Sequence, residues 1–148
     1  MLDRQPPLAV VDTQVVLDCL VFHDPGAEAL SSAVRRGSVH WLTTPAMRDE
    51  FVHVLSRGVG AAWQPDTVQV LRAFDRLARL VDSPPALPMP MRCSDPDDQM
   101  FIDLALSWGA QWLFTRDRAL LRLARRARAH GVHVIRPADW QTSPATVD

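Results

Sequence analysis

The chain has no lysine, no asparagine and no tyrosine; all sixteen of its basic residues are arginine, and only Glu28 and Glu50 stand as glutamates beside fifteen aspartates. Codons for the three missing residues are A/T-rich, so the bias reads as the composition of a GC-rich bacterial genome and not as a functional signal. The lysine gap still excludes a receiver-type phosphoacceptor site, which relies on a lysine near its aspartate. A DxDxT-type phosphatase is unsupported as well, since Asp12 is followed by Thr13 and Gln14. Two cysteines, Cys19 and Cys93, lie too far apart for a zinc knuckle and are too few for a disulfide framework, so both are expected as reduced, partly buried thiols. No apolar run reaches the roughly 18 residues of a membrane span. The opening segment MLDRQPPLAVVDT lacks the basic-then-apolar layout of a secretory signal. A soluble, cytoplasmic protein without membrane contact is the expectation. The net charge of −1 excludes coating of nucleic acid by bulk positive charge and leaves room only for local patches.

What is present is enough for one core. At 148 residues and 47% hydrophobic, a single domain is expected over residues 1–140, with the tail QTSPATVD, 141–148, poorly ordered. Residues 8–12, LAVVD, form an apolar, β-branched run closed by an acid, the mark of a buried strand whose carboxyl end opens on a site. Residues 14–22 and 26–36 read as helical, broken at Asp24-Pro25-Gly26 and stopped at Gly37. A strand follows at 38–44. Thr44 as N-cap and Pro45 at the first helical position open a helix to about Arg57. Val68, Leu71, Phe74, Leu77 and Ala78 predict an amphipathic helix from Pro65 to Leu80. Five prolines make 83–96 an extended loop. Helix 97–108, strand 111–115, helix 118–130 and strand 132–136 complete an alternation that predicts a parallel α/β sheet of about four to five strands with helices on both faces.

In such sheets ligands sit outside the carboxyl ends of the strands, and this picks out four acids. Asp12 ends the first strand, Asp117 follows the WLFT strand, Asp98 opens a helix after the proline-rich loop, and Glu50 lies one or two turns into the helix after the second strand. Asp98 and Asp117 can equally serve as helix caps, and Glu50 gains meaning only in their company. Carboxylates brought together resist joint ionisation; Mg²⁺ or Mn²⁺, with their preference for oxygen ligands, would relieve this better than zinc. Asp97 is one residue, about 100° of helix, from Asp98. Asp98 is preferred by its register with FIDLA. Asp103 lies too far around the helix to share that face closely, which leaves it a supporting, rim or merely solvated group.

Arg118, Arg122, Arg125 and Arg126 form a basic stripe that a solvated helix face explains by itself, whereas Arg116 and Arg118 flank Asp117 and are the better phosphate contacts. Trp41, Trp108 and Trp112 are expected in helix–sheet packing. Trp63 is the candidate for an exposed partner contact. The five histidines show no metal spacing. Leu17 and Val21 on the early helices are candidates for a dimer face.

Four segments in order, VVDTQVVLDCL, TPAMRDEFVHVL, CSDPDDQMFIDLALSWGAQWLFTRDRALL and VHVIRPADW, resemble the PIN-domain family, and more narrowly the bacterial VapC-type toxins of toxin-antitoxin pairs. The resemblance spans nearly the whole chain. By position, Asp12, Glu50, Asp98 and Asp117 match the family's acidic quartet, Thr13 and Thr115 its hydroxyl neighbours, and Asp103 a further acid of the subgroup. Implied are a PIN-like nuclease domain over 1–140 and a Mg²⁺- or Mn²⁺-dependent ribonuclease that cleaves RNA with a metal-activated water. Also implied are a homodimer and an antitoxin protein as partner. The family frequently reads D-T-N at the first acid; this chain has Gln14 in the third place. A PIN scaffold that acts only by binding protein or RNA is the alternative, and the intact quartet argues against it.

Overall fold

The computed structural model describes residues 5–59, 61–85 and 91–140. The expected tail, 141–148, and part of the proline-rich loop, with Pro88 and Pro90, lie outside the described residues. Five strands, β1 (Leu8–Val11), β2 (His40–Thr43), β3 (Ala78–Leu80), β4 (Trp112–Phe114) and β5 (His133–Ile135), form one sheet in the order β3-β2-β1-β4-β5. All four pairings are parallel. β1 lies in the middle, where a strand with both faces covered must be apolar at every position. Its side chains alternate accordingly. Ala9 and Val11 join one buried cluster with Trp41, Phe51, Phe74 and Phe114; Val10 joins the other with Leu42, Leu113, Phe101, Ile102 and Leu120.

The first layer is built on α1 (Thr13–Leu17), α2 (Glu28–Arg36), α3 (Pro45–Ser56) and α4 (Thr67–Leu77), the second on α5 (Gln99–Trp108), α6 (Arg118–Leu121) and α7 (Ala124–Arg128). Local signals set the ends of these helices. The Thr44 hydroxyl accepts from the Met47 amide with Pro45 in the first turn of α3, Asp66 caps α4 through the Gln69 amide, and Gly37 and Gly109 close α2 and α5 in the left-handed conformation that costs glycine little.

Several expectations need correction. The helix expected to run to Leu80 stops at Leu77, and Ala78 to Leu80 turn directly into the edge strand β3, pairing with Trp41 to Thr43; the helical spacing persists to Ala78, but sheet pairing overrides it. The helix expected over 118–130 is divided at Arg122-Leu123. There the Leu123 amide bonds the Leu120 carbonyl, a tightened turn that keeps Leu120, Leu123 and Ala127 all buried against β5 and its neighbours. The segment Asp18–Phe22 is a π-helix instead of a continuation of α1. Leu17 and Val21 are buried, so neither can contribute to a dimer face. Trp108 is 47% exposed and does not pack in the core, whereas Trp41 and Trp112 do pack as expected. Trp63 is 63% exposed and meets only the edge of Phe22 among the aromatic rings described.

Candidate active site

Strand order reverses between β1 and β4, since one half of the sheet is wound outward through β2 and β3 and the other through β5. The chain therefore leaves the carboxyl ends of β1 and β4 in opposite directions. The crevice between the two departures is where such sheets bind ligands. Asp12 stands at its floor: the Asp12 amide continues the β1–β4 ladder to Phe114, and its carbonyl starts α1 by accepting from Val16. Only 6% of Asp12 is exposed.

Thr115, fully buried at the end of β4, fixes the Asp12 carboxylate. Its hydroxyl accepts from the Asp117 amide at 2.9 Å, so its one proton is left to donate to Asp12 Oδ2, at 2.7 Å. Asp117 caps α6 by accepting from the Ala119 amide through Oδ1; its second oxygen is not needed for the cap. On the opposite wall, Thr13 donates to Glu50 Oε2 and holds that carboxylate from α3 against the start of α1. The two threonines thus each orient one acid.

Asp98 behaves differently from a cap. It occupies the N-cap position of α5, yet its side chain makes no capping bond, and its Oδ2 is buried with no hydrogen-bond partner among the described residues. Local capping is done by Asp95, which accepts from the Asp97 amide. One oxygen each of Asp95, Asp98 and Asp117 fall within 4.8 Å of one another. Asp95 was not singled out from sequence: in the run SDPDD every acid looks like a cap candidate, and only the 3₁₀ turn Pro96–Asp98 decides which one reaches the cleft.

The electrostatics of this arrangement are unfavourable by themselves. Burial pushes the Asp12 carboxyl up to about 6 against the opposing Thr115 bond, with Asp117 and Glu50 adding to the rise. Asp98 is pushed up to about 7 by burial and by the charges of Asp12, Asp117 and Asp95. A cluster of hard oxygen donors with raised protonation and an orphaned buried oxygen has the composition of a Mg²⁺ or Mn²⁺ site. The residues fit such an ion.

Asp12, Thr13, Gln14, Leu17, Glu50, Val54, Arg57, Asp98, Arg116 and Asp117 line one open cleft of about 500 Å³. All four acids expected from sequence line this cleft, and of the four Asp98 and Asp117 belong, with Asp95, to the group whose oxygens lie within 4.8 Å of one another. Of the two arginines, Arg116 lines the cleft, held by Asp18, while Arg118 is exposed in the first turn of α6 and does not line it. Arg57 lines it without having been expected. Asp103 lies outside the lining residues. It accepts from the Gln99 amide nitrogen, and Gln99 in turn bonds the backbone of Met91 and Cys93, fastening the segment that leads to Asp95 and Asp98.

Fold and cleft together define a doubly wound parallel α/β domain with an acidic site at its switch point. The PIN domain profile matches residues 9–119, and the chain belongs to the PIN domain family. Among solved structures, a chain of the VapBC2 complex from Rickettsia felis, bound to a DNA fragment from their promoter, has a similar fold. The TM-score is 0.56 at 11% identity, over 87% of this chain and 98% of that one. Comparison with curated protein sequences gives no match.

Proposed function

We propose that this protein is a Mg²⁺- or Mn²⁺-dependent endoribonuclease, the toxin of a toxin-antitoxin pair, working in the cytoplasm as a homodimer. One observation carries the reading: Asp98 Oδ2 is buried, without a hydrogen-bond partner among the described residues and surrounded by like charge, a cost that a divalent cation removes and a helix cap does not explain. Asp12, Asp98 and Asp117 hold the ion, with Asp95 within reach and Glu50 on the facing wall. When bound, the ion supplies activation of a water for in-line attack on a phosphodiester and stabilises charge on the leaving oxygen. Thr115 keeps Asp12 aimed, Thr13 keeps Glu50 aimed, and Asp103 steadies the Asp95–Asp98 turn through Gln99. Arg116 meets the phosphate beside the scissile bond. Arg118, two residues on and exposed at the start of α6, meets a neighbouring phosphate.

An antitoxin partner is supported by the Rickettsia felis protein of like fold having been solved in the VapBC2 complex. The exposed Trp63 is the residue we assign to partner contact. Among the described residues no helix is long and apolar enough to cross a membrane.

The test is cleavage of a mixed structured-RNA pool by purified protein in Mg²⁺, Mn²⁺ or EDTA, beside Asp12→Asn and Asp98→Asn. Metal-dependent cutting lost in both variants is the expected result. Equal cutting by wild type and variants would mark a contaminant, and none from wild type would leave a scaffold that only binds.

A further inference from the structure

Asp18 is the most deeply buried charged side chain outside the carboxylate cluster among the described residues, at 4% exposure, and the cluster does not use it. It opens the π-helix Asp18–Phe22, a rare geometry that recurs at functional sites. Its two oxygens bind one edge of the Arg116 guanidinium: Nε donates to Oδ2 at 2.8 Å and Nη2 to Oδ1 at 3.2 Å. Gln14 Nε2 adds a long bond to Oδ1 at 3.4 Å. Arg116 itself is half exposed and lines the cleft with Asp12, Asp98 and Asp117.

The asymmetry of the pair is informative. A buried carboxylate joined to a half-exposed arginine does not bring a second charge into the core; it fixes a surface charge by its root. Two of the five N–H donors of the guanidinium are taken by Asp18, and the other three have no partner among the described residues. A free arginine beside a cluster of aspartates would fold over onto them. Tied to Asp18, it instead stays at the rim with an unfilled donor edge.

We infer that Asp18 is a positioning residue: it holds Arg116 at the edge of the cleft as a preset clamp for an RNA phosphate, so that substrate binding does not have to order that side chain. The inference rests on the nuclease reading above. Because two fixed N–H bonds define the geometry, charge alone at position 116 is insufficient.

The experiment is binding of a random-sequence single-stranded RNA pool to the full chain in EDTA, as a function of salt, for wild type, Asp18→Asn, Arg116→Gln, Arg116→Lys and the Asp18→Asn/Arg116→Gln double variant. Asp18→Asn and Arg116→Gln should each weaken binding about 10-fold and reduce the salt slope by about 0.7, one phosphate contact on a single strand. The double variant should be no weaker than the worse single, and Arg116→Lys should not restore affinity. Thermal shift by Mn²⁺ should be equal in all five proteins, since Asp12, Asp98, Asp117, Asp95 and Glu50 are untouched. Wild-type binding by Asp18→Asn, or by Arg116→Lys, overturns the inference and leaves the nuclease reading standing. If Asp18→Asn fails to fold, Arg116→Lys still decides. Absence of both RNA binding and cleavage in wild type overturns the nuclease reading and this inference with it.

Discussion

Replacing Asp98 by asparagine separates a metal ligand from a structural cap by the sign of its effect on stability. At pH 8, without metal, the wild-type protein holds Asp98 ionised among Asp12, Asp117 and Asp95 at the expense of folding, because burial and those charges raise its pKa to about 7. Asparagine removes one of the repelling charges, and its amide can donate to a neighbouring carboxylate. Metal-free Asp98→Asn should therefore unfold at the same temperature as wild type or higher. With Mn²⁺ the order reverses. At a free metal concentration 100 times its Kd, the wild type gains about 2.7 kcal/mol. For a chain of this length that is a rise in Tm of about 10 °C. A variant whose affinity is about 100-fold weaker gains about 0.4 kcal/mol at the same concentration, and its Tm moves by about 1–2 °C. Thermal unfolding followed by circular dichroism in EDTA and in Mn²⁺ measures all four values. A metal-free variant several degrees less stable than wild type, with the metal shift intact, would refute the reasoning and return Asp98 to the role of a cap.

Three further outcomes follow from the geometry. The folded-state pKa of Asp12 is raised to about 6, chiefly by burial, so the metal-free fold binds more protons than the unfolded chain; this group's stabilisation is present below about pH 4 and is lost as pH rises through 6, on the order of 3 kcal/mol. Urea midpoints in EDTA at several pH values should show a shallower decline for Asp12→Asn than for wild type. Thr115→Val removes the donor that lowers the Asp12 pKa and the acceptor of the Asp117 amide; it should cost about 1–3 kcal/mol and move the acidic limb of the pH–rate profile for RNA cleavage to higher pH. Phe74, 2% exposed, stacks on Phe51 at 5.0 Å and meets Trp41 edge-on at 4.7 Å. Phe74→Ala should cost about 3–5 kcal/mol in chemical denaturation while leaving Mn²⁺ affinity unchanged.

The layered fold was legible because its signals are local. LAVV is apolar at every position, Thr44-Pro45 is a helix start, and Gly37 and Gly109 are helix ends, all decided within a few residues. β3 was hidden because Ala78-Arg79-Leu80 carries helical spacing and becomes strand only through pairing with β2, 37 residues earlier (Trp41 against Ala78). Asp12, Asp98 and Asp117 could be selected because each ends or follows a strand or opens a helix, a positional rule that needs no contacts, whereas Glu50, in the second turn of α3, gained meaning only in their company. Asp95, Arg57 and Asp18 escaped the same rule. Asp95 depends on the 3₁₀ turn Pro96–Asp98, Arg57 on the path after α3, and Asp18 on a π-helix that no periodicity announces. Leu17 and Val21 were misjudged as surface because the early helices are wrapped by α2, α4 and Trp140, a packing that a single helix pattern cannot express.

The reversal of strand order at the centre of the sheet also has a temporal meaning. Asp12 and Glu50 lie in the half of the chain made first, whereas Asp98 and Asp117 arrive with α5 and β4. A nascent chain of about ninety residues would carry β1, β2 and their helices but only two of the four carboxylates, and no arginine at position 116. β1 would have one open edge until β4 pairs with it. The cleft is thus a seam closed last, and a growing chain holds neither the full set of acids nor Arg116 until its own second half has emerged.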